Sequence, residues 1–482
     1  MRKKTKIVAT ISDKKCDVDL IHKLRDNGLN VVRLNTAHMD FNSAMKVIKD
    51  VRAVSDSIAI LIDTKGPEIR TTSSDGPIHV TFGDRIKLKG DPDSNTTASC
   101  LNVNYKNFVQ DVPAGSRILI DDGSVELVVL QKENDHLICE VKNQGVIEGR
   151  KSVNIPSVHV TLPSLSEKDR DFIVFAIEHD LDFIAHSFVR SKKDVLAIQE
   201  ILDEKKSQIK IIAKIENQQG VDNIDEILDY AYGIMVARGD LAVEIPQEKI
   251  PGIQKQLIEK CMRRRKPVII ATQMLHSMIR NPRPTRAEIS DVANAIYDGT
   301  DAIMLSGETA YGDYPVESVR TMSEIAIETE KIKPSIIELP QVVLNSDVTA
   351  LLTIAAVKAS VELNAKAIIC DTMDGRSIRA MAAYRGRNII FAQCYKKRVM
   401  RELALSYGVY PNYQDLTDRN LDFVLPAINI LLKNWDVRQD DRIVVVAGDH
   451  QWESGISNIA IKTVRGFLKK LNVADKLMKN EH

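Results

Sequence analysis

IIAKIEN, residues 211–217, is an apolar run that ends in two opposite charges, Lys214 and Glu216. In a strand, residues two apart share a face. A segment apolar on both sides reads as a parallel strand covered by helices. The same signature recurs along the first two thirds of the chain. It is found in KIVATI (6–11), NVVRLN (30–35), SIAILIDT (57–64), DFIAHSF (182–188), GIMVARGD (233–240), KPVIIATQ (266–273) and DAIMLSGE (301–308). Amphipathic stretches of helical length lie between most of them, among them DVDLIHKLRDNG, SEKDRDFIVFAIEHD and SKKDVLAIQEILDEKK. Ser166 with Asp169 reads as a capping box, and Asp26-Asn27-Gly28 as a helix end. Eight strands each followed by a helix are the count of a (β/α)8 barrel, an α/β fold.

Two stretches break the pattern. Residues 70–160 alternate polar and apolar, as in HVTFGDRIKL and VELVVLQ, and read as a small all-β lid inserted after strand 3. After KPSIIELPQVVLNSD (333–347), read as a linker, helices alternate with KAIICDT, NIIFAQC and DRIVVVAG. That is an open-sheet α/β domain. The expected division is a barrel over 1–68 and 162–335, a lid over 69–161 and a C-terminal domain over 345–482.

The 482 residues carry 66 Lys+Arg against 66 Asp+Glu, so no basic excess points to nucleic acid. Six scattered cysteines without a CxxC suggest reduced thiols and a cytoplasmic protein rather than disulfides or zinc. MRKKTKIVATISDKK has no apolar h-region, and no apolar run approaches membrane-spanning length, so neither a signal peptide nor an anchor is expected.

Barrel active sites lie at the C-terminal ends of the strands. Here those ends carry Arg33, Asn35 and His38, then Asp63, Thr64 and Lys65, then Ser187 and Arg190. Lys214 and Glu216, Arg238 to Asp240, Thr272 and Gln273, and Ser306 and Glu308 follow. One charge at a strand end is ordinarily a solvated loop residue; the same habit at seven of eight ends is not. Arg33, Lys65, Arg190 and Lys214 suit phosphate and carboxylate oxygens. Glu216 and Asp240 are hard oxygen ligands for Mg²⁺ or Mn²⁺. Gly239 lets its backbone approach a ligand. Cations, a divalent metal and a lid together suggest phosphoryl transfer. The bland alternative is that Lys214 and Glu216 form a buried ion pair. Neither GxxxxGK[ST] nor a GxGxxG after a strand is present, so a nucleotide is held by another device.

Over nearly its whole length the chain resembles the pyruvate kinase family. The resemblance is carried by VVRLN (31–35), DTKGPEIR (63–70), IDDG (120–123), IIAKIEN (211–217), MVARGDLAVE (235–244) and ATQML (271–275). The most specific block is NPRPTRAEISDVANAIYDGTDAIMLSGETA (281–310). It implies transfer of the phosphoryl group of phosphoenolpyruvate to ADP, giving pyruvate and ATP, the last step of glycolysis. It implies that Glu216 and Asp240 hold the divalent cation and that Lys214 neutralises the moving phosphoryl group and the enolate. Arg33 and Ser187 would grip the phosphate, and Thr272 with the backbone of Gly239 and Asp240 the carboxylate. Ser306 and Glu308 would stand behind Thr272 in the protonation relay, and His38, Arg70 and Lys151 would face ADP. A homotetramer is the family's usual assembly.

Departures from the family pattern qualify these expectations. For the K⁺ site Asn35, Asp63 and Thr64 match but Ala37 replaces the usual Ser, which implies K⁺ activation of weakened affinity, with Glu68 retained. His276 replaces a Glu and is expected on a helix near a subunit contact, without a catalytic role. In the effector loop DTMDGRSIR (371–379), Gly375, Arg376 and Ser377 fit an anion nest. Asp374 stands there in place of Ser, however, and Asp449 and Glu453 add charge, so fructose 1,6-bisphosphate is expected to bind poorly. A metal-dependent barrel lyase would lack the lid and the 281–310 block. An inactive scaffold would be expected to have lost Lys214, Glu216, Asp240 or Thr272.

Overall fold

The computed structural model describes residues 2–156, 158, 160–333, 348–415, 423–448 and 455–469. Most of the expected linker, and Asp449 and Glu453, lie outside the described residues. Eight parallel strands close into a barrel. They are β1 (Lys6–Thr10), β2 (Val31–Asn35), β3 (Ala59–Asp63), β4 (Phe183–His186), β5 (Lys210–Ile215), β6 (Gly233–Ala237), β7 (Val268–Ala271) and β8 (Ala302–Leu305). Closure comes from β1 against β8, with Lys6 opposite Ala302. The capping box of Ser166 and Asp169 forms, and Gly28 takes a φ of +111° just beyond the helix Val18–Asp26.

The period of two sorts the side chains. Ile7, Val32, Ile60, Ile184 and Ile211 pack outward against the helices. Val8, Val31, Leu61, Phe183 and Ile212 fill the interior. Two residues further along the same inward rows stand Thr10, Arg33, Asp63 and Lys214, and two beyond Ala185 stands Ser187. The inward face thus changes from apolar to ionic toward the C-terminal ends of the strands, as the strand register requires.

The inserted segment has its own apolar core, running from Ile69 to Ile155. Its main sheet has six strands in the order Val153–Asn154, Arg117–Ile120, Val125–Lys132, Leu137–Val141, Arg85–Lys89 and Cys100–Asn102. The C-terminal sheet has five, in the order Val409–Tyr413, Ile389–Cys394, Ala367–Thr372, Arg442–Gly448 and Ile456–Thr463. Both edge strands escape the apolar-run reading. Val409–Tyr413 contains Pro411, which only an edge tolerates, and Ile456–Thr463 is antiparallel, with several exposed residues.

The floor of the barrel is closed from outside. Ala404 and Leu405 of the C-terminal domain join the interior cluster of the strands. Arg385, buried at 2% exposure, donates to Asp301 (2.6 Å) and to the Gly299 carbonyl (2.7 Å). Gly408 donates its N–H to the Lys4 carbonyl (2.9 Å), and Lys6 Nζ reaches the Val409 carbonyl.

Candidate active site

The ionic layer at the top of the barrel is one connected group. Arg33 Nε donates to Asp63 Oδ2 (2.6 Å), and its Nη1 donates to Thr10 Oγ1 (2.9 Å). Lys214 Nζ lies 3.1 Å from Asp63 Oδ1 and 3.0 Å from Glu216 Oε1, and donates to Ser187 Oγ at 2.7 Å. The Phe188 N–H donates to the other Glu216 oxygen (2.6 Å). Burial by itself lowers the Lys214 pKa, but the carboxylates of Asp63 and Glu216 outweigh it and hold the ammonium charged. Burial raises Asp63 as well, and Arg33 and Lys214 reverse that, keeping it ionised. Glu216 and Asp240 both go the other way: burial pushes their carboxyls up, and the Asp240 charge pushes Glu216 further.

Two cations stand against three carboxylates, so with every carboxyl ionised the group is net negative and repels a phosphate. Two carboxylates side by side, Glu216 buried and Asp240 half-buried, both disfavoured as anions, suit a hard divalent cation, whose charge makes the group net positive. Among the described residues no three His, Cys, Asp or Glu side chains are grouped so as to hold a metal. The remaining ligands would therefore be substrate oxygens and waters, as Mg²⁺ commonly accepts.

Thr272 and Gly239 meet across neighbouring strand ends, where the Gly239 N–H donates to Thr272 Oγ1 (2.8 Å). Thr272 has a φ of +70° and Gln273 one of +56°. A β-branched residue in the left-handed region is strained, and such strain concentrates at functional sites. Glu308 is 2% exposed and accepts from the Leu275 and Ser306 N–H groups (3.2 and 2.8 Å), so it ties the β7 loop to the end of β8. His276 lies in a short 3-10 helix, His276–Ile279.

Around Asn35, its side-chain oxygen accepts from the Ala37 N–H (3.2 Å). Thr36 Oγ1 donates to the Asp63 carbonyl (2.8 Å), and the Thr64 carbonyl accepts from Ser187 (2.7 Å). His38 is exposed beyond β2. Arg70 and Lys151 flank each other at the lid junction, where Thr71 N–H bonds the Lys151 carbonyl (2.9 Å). Arg70 pairs with Glu68 (2.7 Å), and Lys151 with Asp121 and Glu148 (3.1 and 3.2 Å).

Two strand-end cations, Arg190, read as an anion-binding candidate, and Arg238, are committed elsewhere. Arg190 forks onto Asp194 (2.9 Å) and donates to the carbonyls of Leu162 (3.0 Å) and Val160 (3.3 Å), fastening the returning lid segment to the barrel. Arg238 pairs with Asp291 through both terminal nitrogens (2.7 Å each) and supports the Thr272 carbonyl (2.9 Å). Spacing alone could not reveal the role of Arg238, because Asp291 lies 53 residues away on the helix Arg286–Asp298.

The barrel-domain model of pyruvate kinase matches residues 2–319, and its alpha/beta-domain model matches residues 351–461. The chain is 46% identical to a pyruvate kinase of Borreliella burgdorferi over 98% of this chain and 99% of that protein. It is 44% identical to one of Geobacillus stearothermophilus and 43% identical to one of Staphylococcus aureus, each over 95% of this chain and 80% of that protein. With a closed barrel, an ionic strand-end layer and matches of this extent, the chain belongs to the pyruvate kinase family.

Proposed function

We propose that the layer built on Lys214, Glu216 and Asp240 carries the reaction of this family in this chain. That reaction moves the phosphoryl group of phosphoenolpyruvate to ADP, giving pyruvate and ATP, and the chain is a phosphotransferase. The observation that carries the assignment of residues is the position of Lys214: a buried, charged ammonium held among Ser187, Asp63 and Glu216. There it would meet a transferring phosphoryl group and then the enolate oxygen, a fixed charge placed in advance of the reaction. Arg33, oriented by Asp63 and Thr10, would grip the phosphate together with Ser187. Thr272 and the Gly239 and Asp240 backbone would seat the carboxylate, and Ser306 with Glu308 would support the proton relay near Thr272. His38, Arg70 and Lys151 would face ADP.

The family needs a divalent metal and K⁺. Glu216 and Asp240 would hold Mg²⁺ or Mn²⁺, which would supply positive charge to neutralise the substrate's anionic groups. An assay of pyruvate release tests the reading. Pyruvate is expected only when phosphoenolpyruvate, ADP and Mg²⁺ are all present. Release without ADP would favour a lyase or phosphatase, and no release a scaffold.

For K⁺, Asn35, Asp63 and Thr64 would supply oxygens, and Ala37 supplies none. K⁺ is expected to activate with a high half-activating concentration. Ala37→Ser should lower it roughly tenfold, the worth of one oxygen contact of about 1.4 kcal/mol. Full activity in buffer free of Na⁺ and K⁺ would sink this reading.

In the loop read as an effector nest, the Gly375 and Arg376 N–H groups bond to the chain itself. Asp374 accepts from the Arg376 N–H (2.9 Å) and pairs with the Arg376 side chain, while the Gly375 N–H donates to Thr372 Oγ1 (2.8 Å). Adding fructose 1,6-bisphosphate is expected to leave the half-saturating phosphoenolpyruvate concentration unchanged; a large fall would overturn this. The reading also includes a cytoplasmic homotetramer. Its support is six unpaired cysteines and the exposed Ile289 and Tyr297 on the helix Arg286–Asp298. Among the described residues no helix is long and apolar enough to cross a membrane.

A further inference from the structure

A cavity of about 300 Å³ opens beside the ionic layer, where the lid returns to the barrel. One wall belongs to the lid and its return segment: Val153, Ile155, Val158, Val160 and Leu162. The opposite wall belongs to the barrel, with Phe188, the start of the helix Gln218–Asp222 and Glu244. The size is at the lower end for a small-molecule site, and an apolar lining with a few polar groups is the usual composition.

The polar groups are unevenly charged. Arg190 is paired with Asp194 and donates to two carbonyls. Glu68 is paired with Arg70 (2.7 Å). Asp222 accepts only a neutral amide from Gln218 (2.7 Å), and Glu244 one from Asn154. Two carboxylates therefore face the cavity without a cation among the described residues. Burial pushes the Glu244 carboxyl up, the response of an anion that lacks a counter-charge.

We infer that this cavity is a regulatory site for a small apolar ligand bearing an ammonium group, the apolar body lying against the lid segment and the ammonium against Glu244. Its two walls belong to the inserted β segment and to the barrel, so any movement of one against the other would reshape it. A ligand spanning them that binds one lid position better than another would shift the lid. The cavity also reaches the chemistry directly: Phe188, on its wall, donates its N–H to Glu216 and has a φ of +54°. By reciprocity, whatever the ligand does to nucleotide binding, nucleotide does to the ligand.

The test titrates hexylammonium, hexanol and hexanoate into the full chain by calorimetry, a readout that needs no kinase activity and so stands apart from the proposed reaction. Hexylammonium should bind saturably at one site, roughly tenfold more tightly than hexanoate, the effect of about 1.4 kcal/mol of charge complementarity. Glu244→Gln should erase that preference while hexanol binding persists. Val158→Trp should abolish binding of all three, and Val160→Trp fills the same wall should the first variant fail to fold. Saturating hexylammonium should shift the half-saturating ADP concentration by about fivefold, the lower range of allosteric coupling. Absence of saturable binding, equal affinity for hexanoate, or binding untouched by the tryptophan variants would overturn the site. An unmoved ADP dependence would overturn its link to the lid.

Discussion

Lys214→Met is expected to lower the rate of phosphoryl transfer by about a thousandfold or more, equivalent to about 4 kcal/mol of lost transition-state stabilisation. The loss should fall on kcat, because the ammonium acts most strongly on charge that develops during the reaction. Mg²⁺ affinity, measured by calorimetry, should change little, since Glu216 and Asp240 remain. Glu216→Gln should show the opposite order. Metal binding should weaken first, by more than about tenfold, the lower bound for disturbing a metal's support, with transfer falling as a consequence. The contrast separates two roles for one short ion pair. If Lys214 and Glu216 serve chiefly each other, both variants lose a buried partner and both unfold, by about 3–5 kcal/mol. If they serve substrate and metal, the two fail differently while circular dichroism stays native.

Arg385→Met is expected to destabilise the protein by about 3–5 kcal/mol, the cost of stripping the partner from a buried charge. Asp301 would keep only backbone donors, from Val268 (3.1 Å) and Tyr407 (3.0 Å). The Arg385 guanidinium also lies over the Tyr407 ring, 5.1 Å from its centre, and methionine would remove that cation–π attraction too. Arg385→Lys should recover part of the loss, because a charge returns without the guanidinium fork. Denaturant unfolding followed separately by probes in the barrel and in the C-terminal domain would show the C-terminal domain released first. A loss below about 1 kcal/mol would mean that the ion pair is a bystander and that docking rests on Leu405 and its neighbours.

The strand ends were legible because a barrel obeys two simple periods. Alternation within β5 places Ile212, Lys214 and Glu216 on one row, and the βα repeat collects such rows at one end. Arg33, Asp63, Ser187 and Lys214 could thus be gathered from their positions in the chain alone. What stayed hidden depends on pairings that the strand-end pattern does not show. Arg190 has the chemistry of an anion ligand, yet Asp194, four residues on, and the lid carbonyls claim it. Arg238 is claimed by Asp291, 53 residues away. The strain at Thr272 is invisible because threonine does not announce a positive φ, as glycine would. The edge strand Val409–Tyr413 was disguised by Pro411, and Leu405 gave no sign that it plugs another domain.

That plug has a consequence for biogenesis. The last barrel strand ends at Leu305, and its floor is completed by Leu405, one hundred residues later in the chain. At about 5–20 residues per second, the growing chain takes roughly 5–20 s to deliver the missing piece. During that interval a barrel with all eight strands made still exposes the base of its interior. The barrel is therefore a client of its own downstream sequence, and ribosome pausing between those two points would lengthen the period in which it is most open to aggregation.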